Sequence, residues 1–94
     1  MKERTAEEQF RESGEDSLLI VTLGFWMAER LAANSHKSRW VDLGTVELLK
    51  RIRKELTELE LALARGESST SVAQEAADVA NYLAMLACNT RGEP

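Results

Sequence analysis

Residues 54–86, KELTELELALARGESSTSVAQEAADVANYLAML, decide the fold of this chain. Apolar residues recur in this stretch every three or four positions on both sides of a short polar segment around Gly66, as they do in amphipathic helices. Two helices joined by so short a segment are expected to pack antiparallel. The stretch therefore predicts a helical hairpin.

The first helix of this hairpin is predicted to run from Thr45 to Arg65, with Gly66 as the C′ residue that ends it. Its leucine-rich seam has the 3, 4, 3, 4 spacing of a coiled coil. The seam consists of Leu49, Ile52, Leu56, Leu59 and Leu63.

The last helix is predicted to have its N-cap at Ser71, with Gln74 completing a capping box. Its seam also has heptad-like spacing, and its many alanines allow a neighbouring helix to approach closely. The seam consists of Val72, Ala76, Val79, Leu83 and Leu86.

Another helix is predicted ahead of the hairpin, from about Glu15 to Asn34. Residues 18–27 make it apolar on nearly every side, and one small protomer can hardly cover such a helix. We therefore expect a second subunit to bury part of it. The predicted fold is all-α: an antiparallel bundle of three main helices plus a short N-terminal helical segment, completed by oligomerisation.

The composition is that of an ordinary globular protein, with 44% hydrophobic and 30% charged residues in 94. We expect a single domain over residues 1–94, in which residues 1–14 are a variable N-terminal segment. A net charge of −4 argues against broad binding to a nucleic-acid backbone, which needs a basic face.

Cytoplasmic localisation is expected on three grounds. Cys88 is the only cysteine, so no disulfide can form within the chain, and we expect its thiol to be buried. The N-terminal residues lack the apolar segment of a signal peptide. Residues 18–27 are too short for the roughly 20 residues of a membrane span, so no membrane partner is expected.

Two pairs of carboxylates have helical spacing: Glu55 with Glu58, and Glu75 with Asp78. Residues three apart lie on the same face of a helix. In the predicted hairpin the two pairs lie at similar distances from Gly66, so we expect them to form one four-carboxylate site. Such a site suits Mg²⁺, for which Mn²⁺ could substitute, because hard cations prefer oxygen ligands.

A solvated acidic face is the alternative interpretation of either pair alone. Basic residues beside the first pair offer it ordinary intrahelical partners. The second pair has no basic residue near it in sequence between Gly66 and Arg91. We therefore expect water or a metal ion to compensate its charge.

The spacing E-x-x-E, then E-x-x-D after sixteen residues, resembles the signature of the MazG-like all-α nucleoside triphosphate pyrophosphatases. Residues 27–40, MAERLAANSHKSRW, and residues 75–86, EAADVANYLAML, are also similar to segments of that family. The resemblance covers roughly residues 25–86.

The resemblance implies an enzyme that hydrolyses a (d)NTP to the monophosphate and pyrophosphate, clearing or adjusting a nucleotide pool. It implies that Glu55, Glu58, Glu75 and Asp78 are the catalytic acids and hold Mg²⁺, which bridges the triphosphate and activates the attacking water. Which glutamate takes the proton of that water stays open.

Three further residues are candidates for substrate binding. Lys37 could contact phosphate, with Arg39 as a weaker alternative; Trp40 could stack on a base; Asn81 could bond a base edge or a sugar hydroxyl. Each also has a structural interpretation: a solvated loop lysine, a staple that closes the loop, and an inter-helix hydrogen bond, respectively.

Two other classes of function stay open. A non-catalytic dimerisation or adaptor module would show the same apolar seams, and a nucleotide-sensing regulator would retain the metal site without turnover. The expected assembly is a homodimer or a homotetramer, which the sequence does not distinguish.

Overall fold

Helices make up almost all of the described chain. The computed structural model describes residues 5–34 and 40–90. In these ranges α1 spans Ala6–Ala33, a short 3₁₀ turn spans Trp40–Asp42, α2 spans Thr45–Ala64 and α3 spans Ser69–Thr90. No β-strand occurs in them, so the all-α prediction is confirmed.

Helix α3 lies at the centre of the arrangement. It packs against α2 along one side and against α1 along another, and the 3₁₀ turn also contacts it. Only residues 65–68 separate α2 from α3, so the two form the antiparallel hairpin that the sequence predicts.

The end of α2 is a Schellman motif, as the position of Gly66 predicts. The Gly66 N–H donates to the Leu63 carbonyl at 3.2 Å, and the Glu67 N–H donates to the Ala62 carbonyl at 3.1 Å. Gly66 has φ 66°, a left-handed conformation that suits a residue without Cβ. This motif turns the chain directly into α3.

The predicted cap of α3 is wrong by one turn. Ser68, not Ser71, lies at the start: its Oγ accepts from the Ser71 N–H at 3.2 Å. The Ser71 hydroxyl donates to the carboxylate of Glu67. Three consecutive hydroxyl residues, 69–71, follow Ser68, and the sequence pattern does not rank these possible caps.

Helix α1 begins nine residues earlier than predicted, at Ala6, so the expected short N-terminal segment is the first part of one continuous helix. The Thr5 side chain accepts from the Glu8 N–H at 3.1 Å. Thr-x-x-Glu is itself a capping-box pattern, and it was the missed sequence signal for this start.

The buried face of α2 is rotated by one residue from the predicted seam. Leu49, Leu56 and Leu63 are exposed, whereas Leu48 and Ala62 are buried. Between these two, at 4, 3, 4, 3 spacing, lie half-buried Ile52, Glu55 and Leu59. The acidic residue Glu55 therefore lies within the packing face of α2.

The described chain buries very little apolar surface by itself. Its fully buried apolar residues are Leu48, Ala62 and Ala77, and α1 has none. Leu18 is 66% exposed and Ile20 70%, with similar values for their neighbours. Cys88 is exposed, which corrects the prediction of a buried thiol.

None of the helices in residues 5–34 and 40–90 is both long enough and apolar enough to cross a bilayer.

Candidate metal site

A cleft of about 190 Å³ lies where the three helices meet. Its lining is mostly polar and includes all four acids that the sequence singles out. The lining residues are Arg30, Leu31 and Asn34 of α1, Lys54, Glu55 and Glu58 of α2, and Glu75, Asp78, Asn81, Tyr82 and Met85 of α3.

Three of the four acids present oxygens to one point. Carboxylate oxygens of Glu55, Glu75 and Asp78 all lie within 4.8 Å of one another. Glu58 lines the same cleft and interacts with the Glu55 carboxyl, but it does not belong to this group. The structure thus brings both acidic pairs to one cleft, with three acids at its centre.

Asp78 has a partner that the sequence analysis did not find. The Arg30 guanidinium donates Nε–H to Asp78 Oδ1 at 2.9 Å and Nη2–H to Asp78 Oδ2 at 3.0 Å. The side chains are 28% and 12% exposed, so this fork-shaped contact is largely shielded from water. The expectation that only water or a metal ion compensates the second pair is wrong for Asp78.

The sequence contains one weak indication that Arg30 has a structural role. Residues 17–28 carry no charge, and Arg30 follows them directly after Glu29. A lone arginine at that point gives no indication of its partner, since the partner lies forty-eight residues further along the chain.

Burial and crowding of acids perturb the site. Burial raises the pKa of Glu55 from 4.5 to about 7, helped by the nearby Glu58, Asp78 and Glu75. Burial also raises the pKa of Glu75, with Asp78 adding to the effect and Arg30 opposing it. The Glu55 carboxyl therefore retains its proton to a higher pH than an exposed glutamate does.

Three buried oxygens in this cleft accept no hydrogen bond from the described residues: Glu55 Oε2, Glu75 Oε2 and Asn81 Oδ1. Asn81 is 6% exposed, and its Nδ2 donates to the Met27 carbonyl at 3.0 Å, the inter-helix bond considered as its structural role. All three atoms are acceptors, so a cation or a hydrogen-bond donor would satisfy them.

Of the other predicted substrate contacts, the structure describes only Trp40. The Trp40 carbonyl accepts from Asn89 Nδ2 at 3.2 Å, and Trp40 does not line the cleft. Asn89 lies eleven residues beyond Asp78 on α3, which is about 16 Å along the helix. Lys37 and its alternative Arg39 lie outside the described residues.

Comparisons with models of protein families, with curated proteins and with solved structures gave no match. The arguments about function therefore rest on the residues of the cleft.

The protonation of Glu55 predicts a pH dependence of stability. Because the folded state holds a proton between pH 4.5 and about 7 that the unfolded chain releases, this group lowers the free energy of unfolding as pH rises through that window. Glu55→Gln removes this titrating group. The free energy of unfolding of the variant, relative to that of the wild type, should therefore increase as pH rises from 5 to 8, by at most about 3 kcal/mol. Urea unfolding with EDTA at pH 5, 6, 7 and 8 measures this difference.

Glu60→Gln is the matched control for this experiment, because Glu60 is an exposed acid on the same helix. Its difference from wild type should not change with pH in this window. A difference between Glu55→Gln and wild type that is constant from pH 5 to pH 8 would contradict the assignment.

Because Arg30 pairs with Asp78, we expect that removing the guanidinium destabilises the protein. Arg30→Gln leaves the Asp78 carboxylate shielded from water among other acids, so we expect the free energy of unfolding to fall by about 1–3 kcal/mol at pH 7.5 with EDTA. Arg53→Gln, at an exposed position on α2, should stay within about 0.5 kcal/mol of wild type.

A double-mutant cycle identifies the cause. Adding Asp78→Asn to Arg30→Gln should recover part of the loss, since it removes the unpaired charge. If Arg30→Gln proves no more costly than Arg53→Gln, the pair does not stabilise the packing of α1 on α3.

Proposed function

We propose that this protein is a Mg²⁺-dependent nucleoside triphosphate pyrophosphohydrolase of the MazG-like type, which converts a (d)NTP and water to a (d)NMP and pyrophosphate. One observation is the main support: three buried acceptor oxygens without partners, from Glu55, Glu75 and Asn81, converge on one cleft with the carboxylate of Asp78. Buried acceptor oxygens normally have partners, and a divalent cation would contact several of these oxygens at once.

The donor set suits a hard divalent cation. Oxygens on one Mg²⁺ lie about 2.1 Å from the ion, hence within about 4.2 Å of one another, and oxygens of the three carboxylates all lie within 4.8 Å of one another. Small side-chain rotations would bring Glu55, Glu75 and Asp78 into contact with one ion, with Glu58 next to them. Once bound, Mg²⁺ or Mn²⁺ would neutralise charge on phosphate oxygens and make a water more acidic.

The protein's own groups suit the remaining tasks of the reaction. Burial and the neighbouring Glu58 raise the pKa of Glu55 to about 7, which suits the Glu55 carboxylate to accept a proton from an attacking water near neutral pH. Asn81 is held by its bond to the Met27 carbonyl, and its free Oδ1 can accept from a hydroxyl or amino group of the substrate. Arg30 keeps the Asp78 carboxylate oriented towards the cleft.

The proposal includes self-association into a homodimer or homotetramer. Residues 18–25 of α1 expose contiguous apolar side chains, and Leu49, Leu56 and Leu63 form a second exposed stripe at heptad spacing on α2. Exposed apolar surface of this extent is typical of protein interfaces. A second copy of the chain would bury the first helix that the protomer leaves uncovered.

Pyrophosphate release tests the catalytic proposal. The pure protein, incubated with Mg²⁺ and a panel of canonical and modified (d)NTPs, should release pyrophosphate and a monophosphate from at least one of them. Glu75→Gln should lower that rate about 100-fold or more, because it removes charge from the centre of the site. The exposed Glu60→Gln variant should retain the wild-type rate.

The alternatives have distinct outcomes in the same assay. Metal-dependent binding of a nucleotide without any product would favour a nucleotide-sensing regulator. Release of orthophosphate alone, or no metal-dependent interaction with any triphosphate, would refute the pyrophosphohydrolase proposal.

Sedimentation velocity at micromolar concentration tests the assembly. We expect a dimer or tetramer for the wild type, and an unfolding midpoint that rises with protein concentration. Leu18→Gln combined with Val21→Gln should shift the distribution towards smaller species, since the two positions lie on one face of α1. A folded wild-type monomer with a concentration-independent midpoint would exclude the assembly.

A further inference from the structure

A second cleft, of about 480 Å³, adjoins the acidic one on the α2 side. Three of its six lining residues are cations, and we name it the basic cleft. It is lined by Glu47, Lys50, Arg51, Lys54, Glu55 and Tyr82. Lys54, Glu55 and Tyr82 line both clefts, so the two clefts are adjacent, and together we call them the groove.

The cations of the basic cleft are not all compensated within the protein. Arg51 donates to Glu47 at 3.1 Å, so its guanidinium has an acidic partner on α2. In residues 5–34 and 40–90, Lys50 and Lys54 make no ion pair. They lie one turn apart on the same face of α2, so two free ammonium groups border one groove.

The groove is therefore polarised along its length. Its α3 end holds the acid cluster, with unpartnered oxygens of Glu55 and Glu75. Its other end holds Lys50 and Arg51, and Lys54 lies between the two ends because it lines both clefts. A ligand that matches both ends must be a cation at one end and carry negative charge beyond it, as a metal-chelated chain of phosphates does.

We propose that the basic cleft is the binding site for the phosphate groups of a polyphosphate that extend away from the acidic cluster, with Lys50 and Lys54 as their contacts. This inference rests on the proposed function for its choice of ligand, but it assigns phosphate binding to α2, outside the four acids. The site requires a chain of phosphates long enough to span both ends of the groove.

Inorganic tripolyphosphate is a suitable probe, because it has the phosphate chain without a base or sugar. Calorimetric titrations with Mg²⁺ present should give affinities that rise from orthophosphate to pyrophosphate to tripolyphosphate. The double variant Lys50→Gln, Lys54→Gln should bind tripolyphosphate at least about tenfold more weakly than the wild type does, and its loss of affinity for orthophosphate should be smaller.

Arg53→Gln is the matched control for charge. It removes the same unit charge from the adjacent position, but Arg53 is exposed and lines neither cleft. Its affinity for tripolyphosphate should stay within about twofold of wild type. Circular dichroism and unfolding midpoints verify that the lysine variants are folded, and single lysine variants replace the double variant if it is not.

The outcomes separate this inference from the proposed function. If no (d)NTP is hydrolysed but tripolyphosphate binds with the expected dependence on Lys50 and Lys54, the phosphate site stands and the enzyme proposal fails. If pyrophosphate is released but the lysine variants leave tripolyphosphate affinity and KM unchanged, the phosphate site is refuted alone. Equal losses in Arg53→Gln, no preference for the longer chain or no binding of tripolyphosphate also refute it.

Discussion

The contact between Arg30 and Asp78 is the interaction on which the arrangement of helices depends most. Packing α2 against α3 brings Glu55, Glu75 and Asp78 to one point, where their charges repel and water is partly excluded. The guanidinium from α1 supplies an opposite charge with two matched hydrogen bonds. One contact thereby compensates the acid cluster and fixes α1 on α3, two effects that a water molecule could not combine.

Arg30 compensates only part of that charge. Glu55 and Glu75 keep raised pKa values and unpartnered oxygens even with the guanidinium present. The site is therefore stable enough to form and is still strained electrostatically, a condition that a divalent cation would relieve. Perturbed acids in a cleft are characteristic of functional sites, and this favours a metal-binding role for the cluster over a purely structural one.

The sequence pattern predicted the hairpin well and its facing surfaces less well. Gly66 correctly predicted the end of α2, because glycine adopts the left-handed conformation of a C′ residue without a penalty from a Cβ atom. The buried face was misplaced by one residue, since the leucines of α2 form two stripes and periodicity does not identify which of them meets α3. Leu48, Glu55 and Ala62 face the hairpin, whereas Leu49, Leu56 and Leu63 are left exposed. The predicted seam contained only apolar residues, so it did not include Glu55, which lies inside the packing face.

By itself, the sequence determined the helical class, the hairpin and the two pairs of acids, because helix periodicity and the conformational freedom of glycine act over a few neighbouring residues. Tertiary structure alone decided that Glu55 is buried, that Glu58 lies outside the central group, and that Arg30 pairs with Asp78. These three features depend on how the helices rotate and pack against one another. The free energy of that packing is a sum of contacts between residues that are distant in the chain. No local pattern around residue 30 contains the position of residue 78.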